Sequence, residues 1–190
     1  MTGFGGMAAV LLAAGRGSRF GGAKLSALLG GQPLGHHAAA MLAHLPFAQH
    51  IAVVAPDAPD FAGFGFALVP LDPPGAPLSR SIALGVAAAQ RAGAEAVLIA
   101  LADMPLVPAT HITALVQAFD GDRIASRAAG QPLPPAIFGK RHFTALASLA
   151  GDRGAGGLLA DAPWLELPRG CELDVDSPAD LTRAAALLQG

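Results

Sequence analysis

Three short, continuous runs of apolar residues constrain the fold of this chain most strongly. They occupy positions 8–13, 51–55 and 96–101, and segments with helical character lie between them at about 35–45 and 79–92. An unbroken apolar run of this length is typical of a strand that is buried on both faces of a parallel sheet. Alternation of such strands with helices predicts an α/β fold, with a mostly parallel sheet and helices on both faces.

The second half of the chain continues this alternation. We expect a helix over about 108–119, strands near Ile124 and at 136–138, a helix over about 141–149 and a strand at 164–167. The last helix has the clearest local signal. Ser177 can cap it, Pro178 occupies the first helical position, and Asp180 lies three residues after the cap, near the positive end of the helix dipole.

Length and composition limit the class of protein. The 190 residues are 53% hydrophobic and 14% charged, which excludes intrinsic disorder and favours one domain over 1–190, with 1–6 as a flexible N-terminus. No apolar stretch approaches the ~18 residues of a membrane span, and no basic segment precedes the first run, so we expect a cytoplasmic protein. A net charge of −2 and 5% aromatic residues disfavour nucleic-acid binding.

The first candidate site is the glycine-rich loop that follows the first predicted strand. Between Leu12 and Lys24 it contains Gly15 and the cations Arg16 and Arg19. Glycines let backbone N–H groups approach phosphate oxygens, and the cations would offset the charge of a triphosphate. The spacing is neither that of a P-loop nor that of a dinucleotide-binding fingerprint. The alternative interpretation is a turn with solvated basic residues.

The other candidates are carboxylates. Asp103 follows the third predicted strand, at the edge of the sheet where ligands bind, and suits Mg²⁺. Alternatively, it caps the turn that follows. Asp174 and Asp176 would face the same side of an extended segment, where a cation or a basic group between them would relieve their repulsion. Alternatively, Asp176 only helps to start the last helix.

Together, these segments resemble the MobA-like nucleotidyltransferases, and among them most closely the molybdenum cofactor cytidylyltransferases. The resemblance runs from about residue 7 to 188. It rests on Leu-Ala-Ala-Gly-x-Gly-x-Arg-x-Gly-x-x-Lys, Ala-Asp-Met-Pro and Asp-x-Asp-Ser-Pro-x-Asp-Leu. Two further segments support the narrower match, namely Ser79-Arg80-Ser81 and Gly151-Asp152-Arg153-Gly154-Ala155.

The resemblance implies a three-layer, Rossmann-like fold of the nucleotide-diphospho-sugar transferase type. It also implies that Arg16, Lys24 and Asp103 are catalytic, and that Asp103 and Asp176 hold Mg²⁺. Ala14 stands where guanylyl-transferring relatives often carry glycine, which favours cytosine. The nucleotide-binding residues by this resemblance are Leu12, Ala13, Ala14, Gly15, Arg16, Gly17, Lys24, Ser81 and Asp103.

Two departures from the family pattern fall where the second substrate should bind. Ala83 stands in place of a common arginine, and Gly130-Gln131-Pro132 replaces Gly-His-Pro and is followed by Pro134-Pro135. The identity of the acceptor therefore stays open. The candidate acceptor-binding residues are Arg80, Gln131, Asp152, Arg153 and Asp174.

The implied reaction transfers CMP from CTP to the phosphate of molybdopterin, with Mg²⁺ as cofactor and pyrophosphate as the leaving group. An acceptor phosphate is already ionised near neutral pH, so no general base is needed. The implied partners are CTP or GTP, molybdopterin, and a downstream molybdoenzyme or its chaperone. The alternatives are a transferase that uses GTP or acts on a sugar or alcohol phosphate, and a non-catalytic nucleotide-binding regulator.

Overall fold

The computed structural model describes residues 3–15, 20, 23–152 and 154–189. In this part of the chain, seven strands form one sheet and two form a small hairpin. The strands of the sheet are β1 (Met7–Ala13), β4 (Gln49–Val54), β5 (Ala67–Pro70), β6 (Ala96–Leu101), β7 (Arg123–Ala128), β8 (Gln131–Gly139) and β9 (Trp164–Glu166). The hairpin consists of β2 (Leu28–Leu29) and β3 (Gln32–Pro33). The helices are α1 (Leu34–Ala43), α2 (Leu78–Arg91), α3 (Ala109–Ala118), α4 (Phe143–Ala147) and α5 (Pro178–Leu188).

The sheet has the order β5-β4-β1-β6-β8-β7-β9. Strands β5, β4, β1 and β6 pair in parallel, β8 runs antiparallel to both β6 and β7, and β9 is parallel to β7. The predicted mostly parallel sheet is therefore confirmed. Because the four parallel strands end at one edge, the loops after β1 and β6 meet there.

The sheet separates two hydrophobic cores, and β1 contributes to both through the alternation of its side chains. Met7, Ala9 and Leu11 pack in the core that also holds buried residues of α1, α3 and α5. Ala8 and Val10 face the other core, with residues of α2 and α4. Every residue of β1 is buried, as its unbroken apolar sequence predicts. The helices thus cover both faces, and the three-layer architecture is confirmed.

Several elements differ from their predicted bounds. Strand β8 is nine residues long, and its register against β7 shifts between Ala125 and Ser126, opposite Pro134 and Pro135. Prolines lack an N–H group for the ladder and are tolerated at such bulges, so they do not end the strand. Helix α4 is shorter than predicted because a 3-10 turn, Lys140–His142, precedes it.

The first described residues have defined structure. Phe4–Gly6 form a 3-10 turn within the segment that was expected to be flexible. The ring of Phe4 packs edge-on against Phe47, with 4.9 Å between ring centroids. No helix in the described ranges combines the length and apolar character needed to cross a bilayer.

Gly85 allows α2 to pack closely on the sheet. A Cβ atom there would overlap Val10 Cγ1 and lie 3.2 Å from Val53 Cγ2. Alanine ordinarily stabilises a helix by about 1 kcal/mol relative to glycine. We expect Gly85→Ala instead to lower the free energy of unfolding by about 1–3 kcal/mol, because overpacking forces the helix from the sheet. Urea denaturation measures this. The control is Gly157→Ala, where a Cβ meets no atom within 4 Å. A Gly85→Ala protein as stable as the wild type would contradict the close packing.

His111 of α3 is buried in a polar network inside the protein. Ser126 Oγ donates to the backbone oxygen of Pro135 at 2.6 Å, so His111 Nε2, 2.8 Å from Ser126 Oγ, must be the donor in its own bond. Burial lowers the pKa of His111 below its ordinary value. The unfolded chain therefore takes up a proton at a higher pH than the folded one does.

This difference predicts a pH-dependent stability. As pH falls through the ordinary histidine pKa, proton uptake by the unfolded chain lowers the free energy of unfolding. The variant His111→Gln keeps a side-chain donor but does not titrate. As pH falls from about 7.5 to about 5.5, we expect its free energy of unfolding to decrease less than that of the wild type. Urea titrations at both pH values test this. Equal losses in the two proteins would show that His111 does not contribute.

Candidate functional site

Four charged side chains meet at the edge of the sheet where the parallel strands end. Lys24 begins a 3-10 turn after the loop that follows β1, and Asp103 lies two residues beyond β6. Asp174 and Asp176 precede α5 on either side of Val175, which is fully buried and donates its backbone N–H to the oxygen of Asp103 at 3.0 Å. This bond fixes the aspartate segment against the loop after β6.

Lys24 bridges two of these carboxylates. Its Nζ donates to Asp103 Oδ2 at 2.7 Å and to Asp176 Oδ1 at 3.0 Å. The lysine side chain is 6% exposed, whereas that of Asp103 is 17% exposed and that of Asp176 is 46% exposed. Burial lowers the pKa of Lys24, but attraction to Asp103 and the hydrogen bonds to both aspartates outweigh it, and the net pKa is raised. Lys24 is therefore a buried cation.

Asp103, Asp174 and Asp176 form an acidic cluster. Each offers one carboxylate oxygen, and these oxygens lie within 4.8 Å of one another. Part of the Asp174 side chain faces solvent, yet loss of solvation and repulsion from Asp103 raise the pKa of this carboxyl to about 7. With Asp174 ionised, three negative charges face one lysine, which leaves a negative cluster.

The cluster suits a divalent cation. Carboxylate oxygens are the ligands that hard divalent ions prefer. Asp103 Oδ1 is buried, and while Asp174 is ionised it has no hydrogen-bond partner among the described residues. A buried acceptor without a partner carries a cost that a bound cation would remove. Asp103 and Asp176, the predicted ligands, therefore fit a divalent metal, and Asp174 is a third candidate.

The side-chain cap of α5 comes from Ser177 and Asp180 rather than from Asp176. Ser177 caps α5 by accepting from the N–H of Asp180 at 3.3 Å, and Asp180 Oδ2 accepts from the N–H of Ser177 at 2.9 Å. Ser177 is the cap predicted from the sequence, and the reciprocal bond to Asp180 makes it a capping box. Asp176 thus directs a side-chain oxygen to Lys24 rather than supplying the cap, and Asp103 contacts Lys24 through Oδ2.

A cavity of about 280 Å³, called here the polar cavity, opens beside β1. Its walls include Ala14 and Gly15 after β1 and the buried Ser81 of α2. Ala13 lies in β1, is buried, and accepts a backbone hydrogen bond from Ala55 at 3.3 Å. The predicted residues Arg16, Gly17 and Arg19 lie outside the described residues. The described residues that line it are Leu12, Ala14, Gly15, Ala76, Leu78, Ser81 and Asp152.

The candidate acceptor-binding residues lie on several elements of the structure. Asp152 lines the polar cavity, and Asp174 belongs to the acidic cluster. Arg80 is exposed and donates its Nε–H to a backbone oxygen of the preceding loop at 2.8 Å. Gln131 is exposed at the start of β8. Arg153 lies outside the described residues. Asp152 Oδ1 accepts from the backbone N–H of Leu78 at 3.4 Å, so Asp152 lies at the start of α2, the helix that carries Arg80.

A second cavity, called here the apolar cavity, was not predicted from the sequence. It has a volume of about 160 Å³ and lies between α2, the ends of β6 and β8, and the segment that contains the 3-10 turn Ala155–Leu159. Leu12, Leu101, Leu133 and Gly156 are among its walls. The unusual Pro134 was the available signal in the sequence, since it lines this cavity together with Pro132.

Comparison with known proteins gives the family. The model of the MobA-like NTP transferase domain matches residues 9–167. The molybdenum cofactor guanylyltransferase of Cereibacter sphaeroides is 33% identical over 95% of this chain and 96% of that protein. The phosphoenolpyruvate guanylyltransferase of Sphaerobacter thermophilus is 36% identical over 59% of this chain, and the purine catabolism protein PucB of Bacillus subtilis is 33% identical over 56%. The matches span only 57% and 56% of those two proteins.

Solved structures share the fold. A nucleotidyl transferase from Methanothermobacter thermautotroptrophicus superimposes with a TM-score of 0.82 at 22% identity, over 96% of this chain and 97% of that one. Rv0371C from Mycobacterium tuberculosis H37Rv, solved in complex with manganese, gives a TM-score of 0.73 at 24% identity, over 95% of this chain and 98% of that one. With the family model matching most of its length, this chain belongs to the MobA-like NTP transferase family.

Proposed function

We propose that this member of the family transfers CMP from CTP to the phosphate of molybdopterin and releases pyrophosphate. The observation that carries the proposal is the cluster of Lys24, Asp103 and Asp176 at the end of the parallel strands. It supplies a buried cation and a carboxylate pair at the sheet edge that also carries the polar cavity, since Leu12 of that cavity accepts a backbone hydrogen bond from Ala102, the neighbour of Asp103. This is the combination that a triphosphate and a divalent metal require.

The chain's own residues would act mainly by position and charge. In-line attack of one phosphate on another needs alignment and charge neutralisation more than a protein nucleophile. Lys24 would stabilise negative charge on the departing pyrophosphate, together with Arg16. Asp103 and Asp176 would hold Mg²⁺, which when bound neutralises phosphate charge and orients the reacting oxygens. The acidic cluster contains neither histidine nor cysteine, in keeping with an acceptor that is already ionised.

The nucleoside would bind in the polar cavity. Ala14, Ser81 and Asp152 would surround the base there. The methyl group of Ala14, which a glycine would lack, narrows the cavity and favours the smaller cytosine. The second candidate donor is GTP, because two of the relatives are guanylyltransferases by name. The same proposal includes four further points. They are Mg²⁺ as the specific metal, one domain over 1–190, a cytoplasmic location, and delivery to a downstream molybdoenzyme or its chaperone.

Pyrophosphate release tests the reaction. Purified protein is mixed with Mg²⁺, molybdopterin and each of the four nucleoside triphosphates in turn. We expect pyrophosphate with CTP, at a rate well above that with GTP. Faster release with GTP would overturn the choice of donor. If triphosphates bind but no acceptor gives release, the protein is a nucleotide-binding regulator and the enzymatic proposal fails.

A further inference from the structure

We infer that the apolar cavity binds the second substrate through an apolar group of about the size of one six-membered ring, next to the phosphate that reacts. This inference rests on the proposed transfer reaction and specifies the chemical class of its acceptor. It favours acceptors with an apolar carbon frame over sugar phosphates, an alternative that the sequence left open.

The position of the cavity is the first reason. Leu12 and Leu78 line both the apolar cavity and the polar cavity, so the two adjoin at the end of β1. Two substrates that react directly must bind next to each other. With the nucleoside in the polar cavity, the apolar cavity is the adjoining space in which the body of the acceptor can lie.

The chemistry of the walls is the second reason. All fourteen described residues that line the cavity are Leu, Ile, Phe, Pro, Ala or Gly, so none of their side chains offers a hydrogen bond. Pro132 and Pro134 also lack a backbone N–H group. A sugar hydroxyl buried here would lose its bonds to water and find few replacements, which weakens binding.

The size of the cavity is the third reason. Its volume of about 160 Å³ is close to that of an apolar protein cavity of about 150 Å³ that binds benzene. Ile82, Ile99 and Phe138 in its walls are at most 4% exposed, so an occupant would be largely removed from water. The acceptor is thus a phosphate ester that carries a ring face or a similar carbon frame beside its phosphate.

Two adjacent glycines allow a matched test. Gly156 and Gly157 both lie in the 3-10 turn Ala155–Leu159, and a Cβ on either would meet no atom within 4 Å. Of these two glycines, Gly156 is among the described residues that line the apolar cavity and Gly157 is not. Leucine at 156 should therefore fill the cavity, whereas leucine at 157 should leave it open, and neither change should disturb the fold.

In steady-state assays with CTP and molybdopterin, we expect Gly156→Leu to raise the KM for molybdopterin by about tenfold or more. The KM for CTP and the melting temperature should stay at wild-type values. Gly157→Leu should match the wild type in all three quantities. Equal effects of the two variants on the KM for molybdopterin, or an effect of Gly156→Leu on CTP alone, would overturn the inference.

A binding measurement separates this inference from the proposed function. Titration calorimetry compares phenyl phosphate, which carries an apolar ring, with ribose 5-phosphate, which carries hydroxyls. We expect phenyl phosphate to bind more tightly than ribose 5-phosphate to the wild type and to Gly157→Leu. In Gly156→Leu this difference in affinity should disappear. If this holds while molybdopterin is not a substrate, the proposed function fails and the cavity assignment stands. Tighter binding of ribose 5-phosphate would refute the assignment itself.

Discussion

Replacement of Asp103 by asparagine is expected to lower kcat for nucleotidyl transfer by on the order of 10³-fold. The neutral amide would remove one negative charge from the acidic cluster and weaken the 2.7 Å ion pair that positions Lys24. It would also replace Asp103 Oδ1, a buried carboxylate oxygen that fits a divalent metal and has no partner among the described residues while Asp174 is ionised. Initial rates of pyrophosphate release at saturating Mg²⁺ measure the loss.

The same variant should also be less stable. The sequence alone suggests little loss, since the partner of Asp103 is expected to be a solvated ion. In the structure its partner is Lys24, which is 6% exposed. We therefore expect the free energy of unfolding to fall by about 1.5–3 kcal/mol, the range for hydrogen bonds to charged groups. Urea denaturation at neutral pH gives the value.

Glu172→Gln is the matched control for Asp103→Asn. Glu172 is an exposed carboxylate in the segment that precedes α5, and it does not belong to the acidic cluster. Its conversion to an amide should leave both kcat and stability unchanged. If Asp103→Asn kept activity within tenfold of the wild type, Asp103 would be a structural partner of Lys24 and no more.

Replacement of Lys24 by methionine is expected to lower kcat/KM for CTP by on the order of 10²-fold. The variant keeps an unbranched side chain but removes the buried positive charge between Asp103 and Asp176. Without it, the acidic cluster repels a triphosphate, so the KM for CTP should rise, and the charge of the leaving pyrophosphate is less well stabilised, so kcat should fall. Steady-state kinetics with varied CTP separate these two contributions.

Lys140→Met serves as the control for this lysine. Lys140 also forms an ion pair, with Glu95 at 2.9 Å, but its side chain is 53% exposed and lies outside the cluster. A surface pair of this kind contributes little, so the variant should behave as the wild type. Unchanged kinetics in Lys24→Met would mean that Lys24 only balances the charge of the carboxylates.

The strands with a strong local signal could be predicted, and those that depend on their neighbours could not. Strands β1, β4 and β6 are buried on both faces, and their apolar residues are contiguous in the sequence. Strand β5 lies at the edge of the sheet with three of its four residues exposed, and its short apolar sequence ends in a proline, so it was not predicted as a buried strand. The part of β8 over 136–138 was predicted, but the part over 131–135 was not, because its prolines are tolerated only through a bulge that forms in pairing with β7.

The functional site also has a part that the sequence predicts and a part that it does not. Lys24, Asp103 and Asp176 could be proposed from the sequence because each stands in a short motif near a strand end or a helix start. Their closeness could not, because Lys24 and Asp176 are separated by 152 positions and meet only through the topology. From the sequence, Asp174 was a candidate both for binding the acceptor and for sharing a cation with Asp176, and in the structure its carboxylate belongs to the acidic cluster.

The sequence by itself determined the α/β class, the succession of the main strands along the chain, and the segments that carry the charged side chains. These properties follow from local patterns, since burial on both faces demands contiguous apolar residues and turns demand glycine and proline. Only the tertiary structure decided that Lys24 is buried between two aspartates, that Asp152 lines the polar cavity, and that Pro132 and Pro134 help to enclose an apolar one. Such contacts join residues far apart in the chain, and packing of the layers, rather than local sequence, sets their distances.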